Sequence, residues 1–262
     1  MLLYIGNSLL NYDDSHGSDR FSLLTLTYRG GLPPVIGQGI SCLDEEASFM
    51  SRKKKKARTS DQAAQGGVRI IGGTLRGRSL HYSGELHTRP MKDRLREAIF
   101  NLIGPRVKGM QAIDLFSGTG ALGIEAISRG ASCAVLIERH FPTVGLIQQS
   151  LRELQLEDQA QAIASDTFFW VEKKLESDPL LTGAAPWLVF CSPPYDLYLS
   201  PGGMMEPMLQ RIGELAPEQS ILVVESDDRY DSQQLPWPGS WDLRSYPPAM
   251  VAMWIKHQSE LE

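Results

Sequence analysis

The sequence is poor in cysteine, with three in 262 residues at Cys42, Cys133 and Cys191. Three scattered thiols make neither a disulfide framework nor a metal-ligand set, and they fit a reducing, cytoplasmic compartment. Histidine is sparse too, at five residues, so no His/Cys cluster points to a bound metal. No run of about 18 apolar residues occurs, and no transmembrane helix or membrane partner is expected. The start lacks a basic stretch leading into an apolar one with a small-residue cleavage site, so no signal peptide is expected. Positive charge is also in deficit: 26 Lys+Arg stand against 31 Asp+Glu, a formal net charge of −5. Taken whole, that balance argues against a nucleic-acid partner. What is present is an ordinary globular composition, 42% hydrophobic with 24 Gly and 16 Pro, which excludes wholesale disorder.

The net charge conceals an asymmetry. Residues 1–49 hold 2 basic and 6 acidic residues, residues 50–112 hold 15 and 4, and residues 113–262 hold 9 and 21. A strongly basic quarter precedes an acidic body, which suits binding of a polyanion through one segment. Residues 1–67 read as a disordered extension ending in a basic arm, with one short strand candidate at Leu23 to Tyr28 before a Gly/Pro-rich stretch. Met50 opens Met-Ser-Arg-Lys-Lys-Lys-Lys, which reads as a natural start, so residues 1–49 are expected to be dispensable. The run Arg52 to Lys56 with Arg58 repels itself and stays extended. It reads equally as a phosphate-contacting arm or a solvated tail.

Order is expected from Val68. Residues 68–73 and 75–82 look like two short strands with glycine at the turns. Thr88-Arg89-Pro90 then opens a helix over residues 91–103, where Leu95, Ile99, Leu102 and Ile103 form one apolar stripe. From Met110 strands and helices alternate. The strand candidates are 110–115, 132–138, 159–164, 187–191 and 220–225; the helix candidates are 120–129, 141–155, 167–176 and 203–214. The strands are apolar almost throughout, as in a sheet covered on both faces. This predicts a doubly wound α/β domain over 109–262, ending in a β-hairpin across Pro247-Pro248.

Two motifs carry chemistry. Asp114-Leu115-Phe116-Ser117-Gly118-Thr119-Gly120-Ala121-Leu122-Gly123 ends the first strand of the alternating domain and fits the dinucleotide glycine pattern, in which the backbone turns tightly against a ligand. Glu138, 18 positions after Gly120, can accept from both ribose hydroxyls. That pair serves NAD and S-adenosylmethionine alike. Asp114 separates them, because an acid before the glycine loop suits a cationic amino-acid tail and repels a pyrophosphate. Asp166, after the third strand, either meets an adenine amine or caps the next helix. The second motif is Ser192-Pro193-Pro194-Tyr195 after the fourth strand. Its prolines stiffen the loop. The Ser192 hydroxyl and the Pro193 carbonyl can accept from an exocyclic amine and so orient its lone pair. Tyr195 offers a face on which an extruded base can stack. Cys191 does not suit C5-cytosine methylation, which needs a nucleophilic thiolate in a different motif.

The glycine loop with Ser-Pro-Pro-Tyr resembles the S-adenosylmethionine-dependent amino-methyltransferases. More narrowly, Arg69-Ile70-Ile71-Gly72-Gly73, Arg76-Gly77-Arg78, Arg89-Pro90, Asp93-Arg94, Arg96-Glu97, Phe100-Asn101, and Asp114 to Ala126 with Ser128 to Ala131 resemble the bacterial 16S rRNA guanine-N2 methyltransferase family. The resemblance covers about residues 68–257. It implies a Rossmann-like class I sheet, mostly parallel with an antiparallel last strand, and a small N-terminal hairpin and helix (68–108) that contacts RNA. It implies S-adenosylmethionine as cofactor, held by Asp114, Phe116, Gly118, Gly120, Glu138 and Asp166. It also implies catalysis by Ser192, Pro193, Pro194 and Tyr195, and RNA phosphates bound by Arg69, Arg76, Arg78, Arg89 and Arg94. The partner is then 16S rRNA or a small-subunit assembly particle, and a monomer is expected. Ser192 departs from the family, which usually has Asp there. Three rivals stay open: an amino-methyltransferase acting on adenine in DNA or RNA, an RNA-binding assembly protein weakened by the Asp-to-Ser change, and an NAD-dependent oxidoreductase.

Overall fold

A computed structural model describes residues 67–84, 90–181, 183–199 and 203–257, and the backbone of residues 4–5 and 8–9. The candidate strand at Leu23 to Tyr28, the lysine run, and Thr88 and Arg89 of the expected helix start lie outside the described residues. The chain divides into Met1–Arg58 and Thr59–Glu262. In the first unit, β1 (Tyr4–Ile5) pairs antiparallel with β2 (Ser8–Leu9).

The second unit is built on one seven-stranded sheet. Its strands are β3 (Gln111–Asp114), β4 (Cys133–Glu138), β5 (Ala160–Ala164), β6 (Trp187–Cys191), β7 (Ile221–Asp227), β8 (Asp242–Tyr246) and β9 (Ala249–Ile255). The order is β5-β4-β3-β6-β7-β9-β8. The first five are parallel; β9 runs antiparallel between β7 and β8. The chain reverses direction across the sheet between β3 and β6, and open α/β sheets bind ligands outside such a switch point.

Helices α1 (Asp93–Ile103), α2 (Ala121–Ser128), α3 (Phe141–Glu153), α4 (Thr167–Lys173) and α5 (Met205–Leu215) cover it. Strand side chains alternate between faces, and the core divides accordingly. Ala112, Leu136, Leu188, Phe190 and Val223 pack in one cluster with Ile99, Ile124 and Ile147 from α1, α2 and α3. Ile113, Val135, Val189, Leu222 and Val224 pack in a second with Trp170 from α4 and Leu209 and Ile212 from α5. This is the Rossmann-like three-layer arrangement, with its elements within two or three residues of their expected bounds.

The N-terminal piece differs from expectation. Instead of two strands, a single antiparallel bridge joins Arg69 to Ser79. Ile70 N–H donates to Arg78 C=O at 2.9 Å, and Leu80 N–H to Val68 C=O at 2.7 Å. The segment between is drawn to α2 instead of to a partner strand. Ser128 Oγ donates to Gly72 C=O at 2.6 Å and accepts from Leu75 N–H at 2.9 Å. Thr74 N–H donates to Ser128 C=O at 2.7 Å. Gly73 has φ +78°, and a Cβ there would lie 1.9 Å from Ser128 O, so glycine is required at that approach. Helix α1 begins at Asp93, two residues later than expected, and Lys92 before it supplies no side-chain cap.

Beneath this turn lies a buried ion network. Arg96 is fully buried; its Nε donates to Glu125 Oε2 at 3.0 Å and its Nη2 to Arg69 C=O at 2.6 Å. Arg129 Nη2 donates to Glu125 Oε1 at 2.7 Å while its guanidinium lies 4.6 Å over the Phe100 ring. One buried carboxylate thus holds two arginines, from α1 and from the end of α2.

Candidate active site

The register sets the site. Asp114 pairs with Phe190 across β3 and β6, so the glycine loop and the Ser192-Pro193-Pro194-Tyr195 loop leave neighbouring parallel strands at one level. The glycine loop is pinned on both sides. Leu115 N–H donates to Phe190 C=O at 3.0 Å and Ser117 N–H to Ile137 C=O at 2.9 Å. Gly118 and Gly120 both have positive φ, 52° and 74°. A Cβ on Gly123 would come within 2.9 Å of Leu136 Cδ2, so the glycines also bring α2 close to β4.

Asp114 is 1% exposed. Its Oδ2 accepts from Gly123 N–H at 3.1 Å, while its Oδ1 is buried with no partner among the described residues. Burial raises its pKa from 3.8 to about 7, against the Gly123 hydrogen bond and with the Glu138 charge adding to the rise. A buried carboxylate with an orphan oxygen is costly alone and is satisfied by a cation. The ammonium of an S-adenosylmethionine tail has the charge and the donors that this oxygen lacks, so these residues fit the cofactor.

Glu138, at the end of β4, accepts from Gly118 N–H at 3.0 Å through Oε2 and from His140 N–H at 2.7 Å through Oε1. It therefore braces the glycine loop, and each oxygen keeps a lone pair for a hydroxyl. Phe116 is half-buried, edge-on to Phe168 with centroids 6.1 Å apart. Asp166 caps α4, accepting from Phe169 N–H at 3.0 Å through Oδ1. Its capping role is thus realised, and Oδ2 stays uncommitted for an adenine amine.

The second loop is held from β7. Tyr195 O–H donates to Glu225 Oε1 at 2.8 Å. The Ser192 hydroxyl lies beside the same carboxylate and favours its charged form. Tyr198 O–H donates to Glu225 C=O at 2.8 Å. Glu225 is 9% exposed, and burial raises its pKa against the pull of the Tyr195 and Ser192 hydroxyls. Cys191 is buried, with its thiol pushed far up by desolvation, the opposite of a nucleophilic thiolate. Pro193 is buried and Pro194 exposed. The described residues hold no His/Cys/Asp/Glu group that could bind a metal.

Of the arginines expected to meet RNA, Arg69, Arg76, Arg78 and Arg94 are exposed. Two are partly engaged. Arg69 Nε pairs with Asp93 Oδ2 at 3.0 Å, and Arg78 Nη2 donates to Glu153 C=O at 3.2 Å. Sequence reasoning missed Glu225. The available signal was an acid ending the apolar run Ile221 to Val224, as Asp114 and Glu138 end theirs.

A switch-point site with a cation-seeking acid, a glycine loop and a rigid Pro-Pro loop defines a Rossmann-like class I methyltransferase. Residues 68–246 match the family described as Conserved hypothetical protein 95, and the chain belongs to it. Ribosomal RNA small subunit methyltransferase D of Escherichia coli K12 is 30% identical over 205 residues, spanning 77% of this chain and 95% of that protein. Among solved structures, the Escherichia coli protein yhhF superposes with a TM-score of 0.59 at 27% identity, covering 74% of this chain and 100% of that one. A hypothetical protein of Thermus thermophilus superposes with a TM-score of 0.55 at 27% identity, covering 71% and 98%.

Proposed function

We propose that this chain transfers the methyl group of S-adenosylmethionine to the exocyclic N2 amine of a guanine in small-subunit (16S) rRNA. The observation that carries the reading is the Asp114–Phe190 register, which sets the cation-seeking carboxylate and the Ser-Pro-Pro-Tyr loop side by side. The relative named as a small-subunit rRNA methyltransferase, matched over 95% of its length, supports rRNA as the substrate class. An oxidoreductase reading fits poorly, since Asp114 would face a pyrophosphate.

When bound, the cofactor supplies a sulfonium-activated methyl group. Asp114 holds the cationic tail, Gly118 and Gly120 let the backbone lie against it, and Glu138 takes the ribose hydroxyls. Asp166 meets the adenine through its uncommitted oxygen. Ser192 and the Pro193 carbonyl orient the target amine, Pro194 stiffens the loop, and Tyr195 stacks on the base. Positioning supplies much of the acceleration. Arg69, Arg76, Arg78, Arg89 and Arg94 bind RNA phosphates.

The test uses labelled S-adenosylmethionine with unmodified small-subunit particles, free 16S rRNA or DNA, followed by identification of the methylated nucleoside. N2-methylguanosine in the rRNA is expected. Methyladenosine, or transfer to DNA alone, overturns the reading.

A further inference from the structure

Where the resembling family usually carries Asp, this chain has Ser192, whose hydroxyl is no base near neutral pH. The missing carboxylate is nevertheless close by. Glu225, on the adjacent strand β7, accepts from the Tyr195 hydroxyl at 2.8 Å, and the Cys191–Val224 register sets it beside the Ser192 hydroxyl. We propose that Glu225 serves as the proton sink of methyl transfer, acting through Ser192. This rests on the amino-methyltransferase reading above and adds the route by which the proton leaves.

The balance is as follows. The amine lone pair forms the N–CH3 bond while the C–S electron pair departs on sulfur as a neutral thioether. The nitrogen then carries one proton too many. That proton passes to Ser192 Oγ as the Ser192 hydroxyl proton passes to the Glu225 carboxylate, which ends neutral. With its proton turned toward Glu225, Ser192 would keep its oxygen lone pairs as acceptors for the amine. The same carboxylate orients Tyr195, so both groups that touch the base hang from one anchor. Glu225 is a positioning residue in this scheme, since it meets the substrate only through Ser192.

Burial raises the Glu225 pKa, which makes its neutral form accessible after transfer. The titratable groups facing it are Tyr195 and Tyr198 from the following turn and Cys191 at the end of β6. From β9 it pairs with Val251, which carries no charge. Tyr198 and the buried thiol are both pushed up by burial, away from neutral pH, so the lower limb of a rate profile reports Glu225. Saturating cofactor keeps Asp114 ionised and out of that profile.

The experiment compares single-turnover transfer by wild type, Glu225→Gln and the double variant Ser192→Asp/Glu225→Gln on the substrate the wild type accepts, with cofactor binding by calorimetry. Glutamine keeps one accepting oxygen and the side-chain shape but cannot take the proton. Glu225→Gln is expected to bind cofactor normally, to lose about a hundredfold in rate, and to lose the acidic limb of its pH profile. The double variant, with a carboxylate at position 192 itself, is expected to recover at least tenfold of that loss (about 1.4 kcal/mol). An unchanged rate and profile in Glu225→Gln overturns the inference, as does a slow double variant that binds cofactor normally. Wild-type methylation of an adenine amine removes the guanine reading while leaving this comparison intact. No transfer by wild type to any nucleic acid overturns both.

Discussion

At the scale of single residues, Asp114 is the most informative group. Its carboxyl is held near pKa 7 because burial outweighs the Gly123 hydrogen bond. In the cofactor-free protein the folded pKa lies above the unfolded one. The stabilising contribution of the neutral form is therefore full below about pH 4 and is lost as pH rises through about 7. A cationic ligand reverses that balance by selecting the ionised form. Cofactor affinity is expected to rise about tenfold between pH 6 and 8, with proton uptake by buffer at the acid end, as calorimetry in buffers of different ionisation enthalpy will show. Asp114→Asn is expected to flatten that dependence and weaken binding at pH 8. Flat affinity in the wild type would remove Asp114 from cofactor binding. The composition of the motif makes an acid here legible; its near-neutral pKa is not, because it depends on α2 closing over the carboxyl at Gly123 in three dimensions.

At the scale of elements, the doubly wound alternation is readable because apolar runs and glycine breaks are local. The strands at 110–115, 132–138, 159–164, 187–191 and 220–225 all exist, shifted by no more than two residues at either end. The turn at 68–80 reads as two strands because its partner is Ser128, about 55 residues away in sequence, and no local pattern marks that pairing. The basic block is likewise only half legible. Composition counts Arg96 with the surface charges, yet it lies at 0% exposure against Glu125. Removing one member of a buried ion network leaves the others unpaired. Glu125→Ala is accordingly expected to cost about 3–5 kcal/mol in chemical denaturation, with the hairpin exposed to proteolysis before the sheet. A loss under about 1 kcal/mol, the range of surface pairs, would show that Arg96 and Arg129 find other partners.

At the scale of the whole molecule, the charge asymmetry is smaller on the surface than in the sequence, because Arg96 of the basic segment and Glu125 of the acidic body are buried against each other. Arg76 is exposed, and Arg78 is exposed with one backbone hydrogen bond; neither holds the core together. Reversing both to glutamate is expected to leave the melting midpoint within about a degree or two. The same change is expected to weaken rRNA binding and to reduce the slope of log K against log salt by about 2, one for each phosphate no longer neutralised. An unchanged slope in filter binding would move the RNA surface elsewhere. Helix α2 links this surface to the glycine loop. Its first residue follows Gly120 of the cofactor loop, and its last, Ser128, grips the hairpin at Gly72 and Leu75. Eight buried residues rising about 1.5 Å each make a rod of roughly 12 Å. In the proposed function such a rod acts as a ruler: were RNA phosphates seated on the hairpin, its length would set how far along the RNA the reactive carbon reaches, and distance as well as base edge would choose the target.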